Sequence, residues 1–313
     1  MTKEKFLVTG CAGFIGSHVV RRLLKDGIDT VGVDDFSTGK LANIKDVEGK
    51  FRLVEGDLCQ AKVAEEAVQG VSHIIHLASI PSVPRSVAKP VESMHSSITA
   101  SVTLFVAAAA AGVKRIVQAA SSAAYGDSRA TVKTEDLLPE PLSPYAVAKL
   151  TQEYYGRAFS LCYPIDIGSV RYFNVFGPRQ DPNSEYSAVI PKFISLMLAG
   201  KPPVIFGDGS QSRDFTYVED IVNGNLIAAR HSKPLRGEVF NIASGISISL
   251  NQLVEKLNSV LGTKFQAIHS DPRPGDILHS RADISKAKKE LAFAAKIDFG
   301  EGLRLTADSL RAS

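Results

Sequence analysis

Short β-branched runs alternate with helix-length segments through the first half of the chain. Phe6–Thr9 is an apolar run of strand length, followed by a glycine-rich turn and a helical pattern over Ile15–Lys25. Thr30–Val33, Phe51–Val54 and Ile74–Leu77 predict a second, third and fourth strand. A helix from about Val91 to Ala111 then leads into a fifth strand at Arg115–Gln118. Apolar strands separated by helical crossovers predict a parallel sheet covered on both faces, a doubly wound, Rossmann-like α/β fold. After about residue 176 the rhythm changes. Pro and Gly punctuate more often (Gly177-Pro178, Gly200 to Pro203, Gly207-Asp208-Gly209), and the alternation becomes irregular. The expectation is a main domain over residues 1–176 and a smaller α/β lobe formed mainly by 177–313. Residues of about 218–248 would rejoin the main domain, because Glu238–Ile242 reads as a strand able to return to its sheet.

Composition narrows the function classes. With 313 residues, 44% of them hydrophobic and 22% charged, the chain can bury a sizeable core and is not disordered. A net charge of +3, with both signs dispersed and no long Lys/Arg block, argues against a dedicated nucleic-acid binder. The longest apolar run, Leu104–Val113, is ten residues and too short to span a bilayer, so no membrane partner is expected. The first segment carries an acid and runs straight into a strand, which does not read as a secretory signal. Three widely separated cysteines (Cys11, Cys59, Cys162) suit a reducing cytoplasm better than a disulfide framework or a cysteine-based zinc site. His73, His76, His95, His231 and His279 show no metal-ligand spacing and read as packing or surface residues.

The chemistry starts at the end of the first strand. Gly10, Gly13 and Gly16 have the spacing G-x-x-G-x-x-G. They suit a tight turn, close approach of a pyrophosphate, and close helix–sheet packing, respectively. Phe14 and Ile15 open the helix, whose first N–H groups are free for phosphate. Asp34 and Asp35 end the second strand, eighteen residues beyond the last glycine. A carboxylate there can bond the adenosine ribose hydroxyls and repel a 2′-phosphate, favouring NAD over NADP. The competing reading is that both are ordinary strand-end acids. Asp57 and Leu58, after the third strand, fall where an adenine contact would sit.

A second constellation follows the fifth strand, which runs on through Gln118-Ala-Ala-Ser121-Ser122. Ser143 and Pro144 read as N-cap and first helical position, so Tyr145 enters the first turn and shares a face with Lys149. A cation beside a phenol is expected to lower its pKa from about 10 towards neutrality, making Tyr145 a proton acceptor. In isolation such a pair reads as surface decoration. Its position at the carboxyl ends of parallel strands is what points to a site.

Taken together, the glycine turn, Ser121-Ser122-Ala-Ala-Tyr125-Gly126, Tyr145/Lys149, Arg171 to Gly177, Gly207 to Phe215 and Arg273 to Asp276 resemble the extended short-chain dehydrogenase/reductase family. The resemblance is to its nucleotide-sugar 4-epimerases, over nearly the whole chain. It implies NAD held by the residues already named, together with Ser37, Thr38, Gly39, Leu77, Ala78, Ser79, Tyr172 and Val175, and by Tyr145 and Lys149. Ser121 would position the sugar 4-hydroxyl, Tyr145 would take its proton, and Lys149 would hold the nicotinamide ribose. Arg213, Arg273 and Asn174 match positions that bind the diphosphate, for which a guanidinium fork is suited. Val189, Val204 and Phe206 match the stretch around the uracil. Ser82, Ser122 and Asp276 complete the substrate set.

The resemblance also bears on the sugar. Ser82-Val-Pro-Arg-Ser86 is similar to the subgroup acting on N-acetylated UDP-hexosamines, although Pro81 stands where its closest relatives have Gly. Ser280 falls where members restricted to plain hexoses carry a bulky Tyr. A serine there leaves room for an N-acetyl group, unless it is simply a surface residue. The implied activity is a UDP-GlcNAc/UDP-GalNAc 4-epimerase that also takes UDP-Glc and UDP-Gal. Alternatives are a UDP-glucose-only or a UDP-glucuronate 4-epimerase, a 4,6-dehydratase, which would need an acid pair where Ser122-Ala123 stands, and a non-catalytic NAD scaffold. Ser96-Ser97 replaces a frequent Asn. A homodimer is implied, pairing helices near Ser97–Ala111 and Tyr145–Leu161 into a four-helix bundle.

Overall fold

The computed structural model describes residues 4–126, 128, 130–182, 188–272 and 278–311. In chain order the first part runs β1 (Lys5–Thr9), α1 (Phe14–Lys25), β2 (Asp29–Asp34), β3 (Arg52–Glu55), α2 (Ala61–Ala67) and β4 (His73–His76). Then come α3 (Val83–Ala88), α4 (Pro90–Met94), α5 (Ala100–Ala110), β5 (Arg115–Ser121), β6 (Val132–Lys133), α6 (Pro144–Cys162) and β7 (Asp166–Tyr172). The rest comprises β8 (Asn174–Phe176), α7 (Val189–Leu198), β9 (Val204–Phe206), β10 (Ser212–Tyr217), α8 (Val218–Ala229) and β11 (Val239–Ile242). It ends with β12 (Ser247–Ser249), α9 (Leu250–Leu261), β13 (Ile268–Ser270), β14 (His279–Ala282), α10 (Ser285–Leu291) and α11 (Phe299–Arg311).

Seven strands form the main sheet in the order β11-β7-β5-β4-β1-β2-β3, all parallel. The order reverses between β1 and β4, and a crevice opens at the carboxyl ends of such neighbouring strands. Phe6 and Val8 of β1 point to one face, into a core shared with Val19, Val20 and Leu23 of α1 and Ile221 and Val222 of α8. Leu7 points to the other, into a core shared with Leu104, Phe105 and Ala108 of α5. The inner strands are buried on both sides, which is why they read as continuous apolar runs rather than as alternations, while the edge strand β3 exposes Arg52, Leu53 and Glu55. Val239–Ile242 joins this sheet beside β7. A strand that the sequence did not announce, β7, lies between it and β5.

The later elements build a second sheet, β12-β10-β14-β6, with β8 also pairing β10. Its core combines Phe215 and Tyr217 with α7, α9 and α11, and Phe14 and Ile15 of the glycine turn pack against it. The two cores therefore meet at the start of α1.

One helix departs from its expected form. The segment Pro90–Ala110 is continuous over 21 residues, long and apolar enough to cross a membrane by length and composition alone. Its bounds agree with the helix expected from about Val91 to Ala111, and the apolar run Leu104–Val113 begins in its last two turns and runs past its end. Its inner face is nonetheless core: Ala100, Ser101, Leu104, Phe105 and Ala108 are buried. It is interrupted by a π turn at His95–Thr99. Such a turn shifts the backbone register, and here the Ser97 carbonyl accepts from side chains, Ser101 Oγ at 2.5 Å and Gln152 Nε2 at 3.3 Å.

Candidate active site

The crevice begins where β1 ends. Gly10 has φ +65°, and a side chain there would press on the backbone of Ala78, with the amide nitrogen 3.0 Å from a Cβ. At Gly16 a Cβ would stand 2.0 Å from the Gly10 carbonyl oxygen, so only glycine lets the helix leave the turn this closely. The amino end of α1 has no side-chain cap at Gly13 and no acidic residue in its first turn. Its N–H groups and helix dipole are thus left for an anion.

Asp34 is nearly fully buried. One carboxylate oxygen accepts from Ala12 N and the other from Phe36 N, both at 2.9 Å, and Gly39 packs so closely that a Cβ would lie 2.5 Å from it. Burial pushes the carboxyl up, against the pull of those two amides. Asp34 therefore fixes the glycine turn, while retaining lone pairs for a further donor. Asp35 is exposed and accepts from the amide and hydroxyl of Ser37. Asp57 and Thr38 are exposed on the same rim.

Two cofactor candidates have side chains that turn into the core. Leu58 is buried in the core beneath β2 and β3, so only its backbone faces the rim. Tyr172 turns inward, and its hydroxyl donates to Asn225 Oδ1 at 2.8 Å. Both are apolar bodies taken by the core, a fate that a motif position does not reveal. Leu77, Ala78, Ser79 and Val175 are half-buried along the crevice, and the Leu77 and Ala78 amides both donate to Thr9 Oγ1.

On the other side of the crevice, α6 starts as its sequence dictates. Ser143 caps it, accepting from Ala146 N at 3.2 Å, and Pro144 takes the first helical position. Tyr145 N is additionally held by Ser86 Oγ at 3.1 Å, and Ser86 donates in turn to Val83 O. That clamp between α3 and α6 was not legible in advance, since sixty residues separate the partners. Ser121 ends β5, caps a 3-10 turn through Ala123 N, and hydrogen-bonds the Tyr145 phenol. Lys149 is 3% exposed, and its ammonium donates to Ala119 O on β5 at 3.1 Å.

The electrostatics differ from expectation here. Burial raises the Tyr145 phenol, with the Ser121 hydrogen bond the opposing influence, so it is not lowered towards neutrality. The ammonium that was to lower it is bonded to Ala119 instead. Burial pulls Lys149 down to about 8, opposed by Glu153 one turn along. Glu153 is itself paired with Arg171 in a buried bidentate bridge of 2.8 and 2.7 Å.

The substrate candidates gather on the second sheet. Arg213 on β10 pairs in register with Ser280 on β14, and the Arg213 guanidinium donates to Ser212 O and Leu278 O. Asn174 on β8 pairs with Phe215 of β10. On β9 the buried Ile205 alternates with Val204 and Phe206, which point the other way, and Val189 opens α7. Ser82 spends its hydroxyl capping α3, accepting from Arg85 N. Ser122 is half-buried beside Ser121. Arg273 and Asp276 lie outside the described residues. Among the described residues no group of three or more His, Cys, Asp or Glu side chains is placed to hold a metal.

A family model described as the NAD dependent epimerase/dehydratase family matches residues 6–243, spanning the glycine turn, Ser121, Tyr145 and Lys149. The chain belongs to this family. It is 35% identical over 309 residues to a UDP-glucose 4-epimerase of Mycolicibacterium smegmatis, covering 97% of this chain and 98% of that protein. It is equally 35% identical, over 311 residues, to a UDP-glucuronate 4-epimerase of Thermodesulfobacterium geofontis, covering 96% and 94%. The structure resembles that of a UDP-N-acetylglucosamine 4-epimerase from Methanobrevibacter ruminantium M1 in complex with UDP-N-acetylmuramic acid. That match has a TM-score of 0.94 and 40% identity, over 100% of this chain and 99% of the other.

NAD is the cofactor of this epimerase/dehydratase family, and the crevice suits it. An uncapped, acid-free helix start fits a pyrophosphate, and Gly10 and Gly16 keep side chains out of that cradle. Asp34 and Asp35 offer acceptors at the end of β2, where a ribose diol would be bound and a further phosphate repelled.

Proposed function

We propose that this family member is a 4-epimerase of UDP-hexoses, interconverting UDP-GlcNAc and UDP-GalNAc, with UDP-Glc and UDP-Gal as a second pair. The observation that carries the sugar class is the register of Arg213 with Ser280. That register makes a small residue the strand neighbour of Arg213, and on this proposal a Tyr at the same position would fill the space an N-acetyl group needs. The similarity to a UDP-N-acetylglucosamine 4-epimerase supports the same reading.

Bound NAD would take up and return the hydride at the sugar C4. The chain's own residues handle the proton and the pose. Ser121 orients the 4-hydroxyl, and Tyr145 accepts its proton as the sugar becomes a transient 4-keto species, then returns that proton to O4 once the ketose has turned over and the hydride is added to the other face of C4. Lys149 holds the nicotinamide ribose. Arg213, Asn174 and Arg273 anchor the diphosphate while the ketose turns over. Val189, Val204 and Phe206 cover the uracil; Ser82, Ser122 and Asp276 complete the pocket.

Coupled assays on UDP-GlcNAc, UDP-Glc and UDP-glucuronate test this. Ser280→Tyr is expected to cut turnover of UDP-GlcNAc by at least about tenfold and to spare UDP-Glc, since a ring then occupies the acetamido space. Turnover of UDP-Glc or UDP-glucuronate with none of UDP-GlcNAc refutes the proposal. We place the enzyme in the cytoplasm as a homodimer. Val106 on α5 and Val147, Tyr154 and Leu161 on α6 are exposed apolar side chains suited to a four-helix contact between copies. A monomer in light scattering would remove that part.

A further inference from the structure

Beneath the crevice, in the interior, lies a row of polar side chains that the mechanism does not use. Thr9 Oγ1, at the end of β1, accepts from the amides of Leu77 and Ala78, both at 3.0 Å. With both lone pairs taken, its hydroxyl hydrogen must be donated, and the partner is His76 Nδ1 at 2.8 Å. His76 Nδ1 is then an acceptor, so the ring's proton sits on Nε2, which donates to Ser101 Oγ at 2.8 Å. Ser101 Oγ donates to Ser97 O and also accepts from Gln152 Nε2, both at 2.5 Å. The second Gln152 hydrogen goes to Ser97 O at 3.3 Å, and its Oε1 is left without a partner. The opposite ring tautomer would give Thr9 three donors and no acceptor, so only one proton order satisfies the chain.

The ends of this chain are what give it meaning. Thr9 precedes Gly10 and ties the Leu77–Ser79 loop onto the dinucleotide turn. Gln152 sits on α6, three residues beyond Lys149. The π turn at His95–Thr99 is what presents the Ser97 carbonyl to both Ser101 and Gln152. His76 is 2% exposed, Ser101 and Thr9 are fully buried and Gln152 is 1% exposed, so water does not compete along the row. The one charge acting on the ring is Lys149, which together with burial disfavours the imidazolium. The Phe105 ring packs edge-on against it.

We propose that His76 is a positioning residue. Held neutral with its proton on Nε2, it sets the direction of a Thr9–His76–Ser101–Gln152 chain that keeps the dinucleotide turn in register with the helix carrying Tyr145 and Lys149. The catalytic part of this inference rests on the roles proposed above for Tyr145 and Lys149. The tautomer and the cofactor retention it implies do not, so failure of either is separable from failure of the epimerase reading.

The test has two arms on the NAD-loaded protein. Nitrogen-15 histidine NMR of the wild type is expected to show one ring with protonated Nε2 and bare Nδ1, unchanged between pH 5.5 and about 8. A ring protonated on Nδ1, or one titrating in that range, overturns the proposal. In the second arm, His76→Leu and His76→Gln are compared for NAD retained after gel filtration and for kcat and KM. His76→Leu is expected to lose NAD and to lower kcat about tenfold or more, with KM for the UDP-sugar changed less than about twofold. His76→Gln keeps an acceptor towards Thr9 and a donor towards Ser101, and is expected to recover much of both. Equal losses in the two variants would make the residue a packing element and overturn its positioning role, as would wild-type retention and kcat in His76→Leu.

Discussion

Replacing Glu153 with Gln probes the least solvent-accessible ion pair of the site. Glu153 and Arg171 are each 3% exposed and joined by two hydrogen bonds of 2.8 and 2.7 Å. The guanidinium also lies 4.5 Å above the Tyr125 ring, its Nη1 has no hydrogen-bond partner, and Tyr125 is held by Asn241. Once Glu153 is neutral, a whole guanidinium remains buried without a counter-charge. Breaking a buried pair from one side costs about 3–5 kcal/mol. At the roughly 2 °C per kcal/mol that applies to large domains, that is a fall of about 6–10 °C in Tm. A double replacement, Glu153→Met with Arg171→Met, removes both charges at similar volume and should cost less than either single change. The substitution also reaches the catalytic helix, because Glu153 is what opposes the burial-driven fall of Lys149 to about 8. In Glu153→Gln the alkaline limb of the kcat profile should therefore move to lower pH. Urea unfolding of the three variants and a pH–rate profile of Glu153→Gln measure both effects. A single-variant loss under about 1 kcal/mol, together with an unmoved alkaline limb, would refute the reasoning.

Other consequences follow from the same geometry. Tyr145→Phe should lower turnover by about 10²–10⁴-fold and leave NAD binding intact, read by activity and by the cofactor content of the purified protein. Lys149 carries a linkage with a definite sign. Between pH 8 and about 10.4 the unfolded chain holds this proton and the folded one does not, so its contribution to stability rises with pH across that window. The total rise is about 3 kcal/mol, and the difference in unfolding free energy between wild type and Lys149→Met should show it; a difference flat with pH contradicts the assignment.

Much of this architecture was readable because its strands are buried on both faces. Phe6–Thr9 and Ile74–Leu77 could be recognised as uniform apolar runs, and glycine and aspartate sit at fixed distances from them. The strand β7 escaped because Asp166-Ile-Gly-Ser-Val-Arg-Tyr172 mixes polar residues into a buried strand. Those residues are satisfied by distant partners, Asp166 by Arg115 and Arg171 by Glu153, that no local pattern contains. The site shows the same division. Tyr145 and Lys149 were legible as a pair from spacing within one segment, and Ser121 through the family resemblance. Ser86 on the Tyr145 amide and the Thr9–His76–Ser101–Gln152 row depend on contacts between residues 25 to 67 apart, and of the row the sequence singles out only His76, as a packing or surface residue. Leu58 and Tyr172 show what spacing omits, because a position matching a motif says nothing about which way a side chain turns.

Burial, near-complete at Lys149 and partial at Tyr145, sets a physical condition on the chemistry. It raises the phenol and lowers the amine, so each group is driven towards its neutral form. A phenolate and an ammonium placed together would relieve both penalties at once, because each then supplies the charge that the other lacks. In this structure the ammonium is bonded to Ala119 O, and the hydroxyl of Ser121 is the hydrogen-bond partner of the phenol. The Ala119 carbonyl and Ser121 lie two residues apart on β5, at the same end of the same strand. The distance between bonding Ala119 and assisting the phenol is therefore a matter of side-chain reorientation from one helix face, not of domain movement. Glu153 favours the protonated amine through that choice, and Arg171 fixes the Glu153 carboxylate with two hydrogen bonds. The charge state of Lys149 thus depends on a relay of position rather than of protons, running from Arg171 through Glu153, and the proton step proposed for Tyr145 would take place beside it.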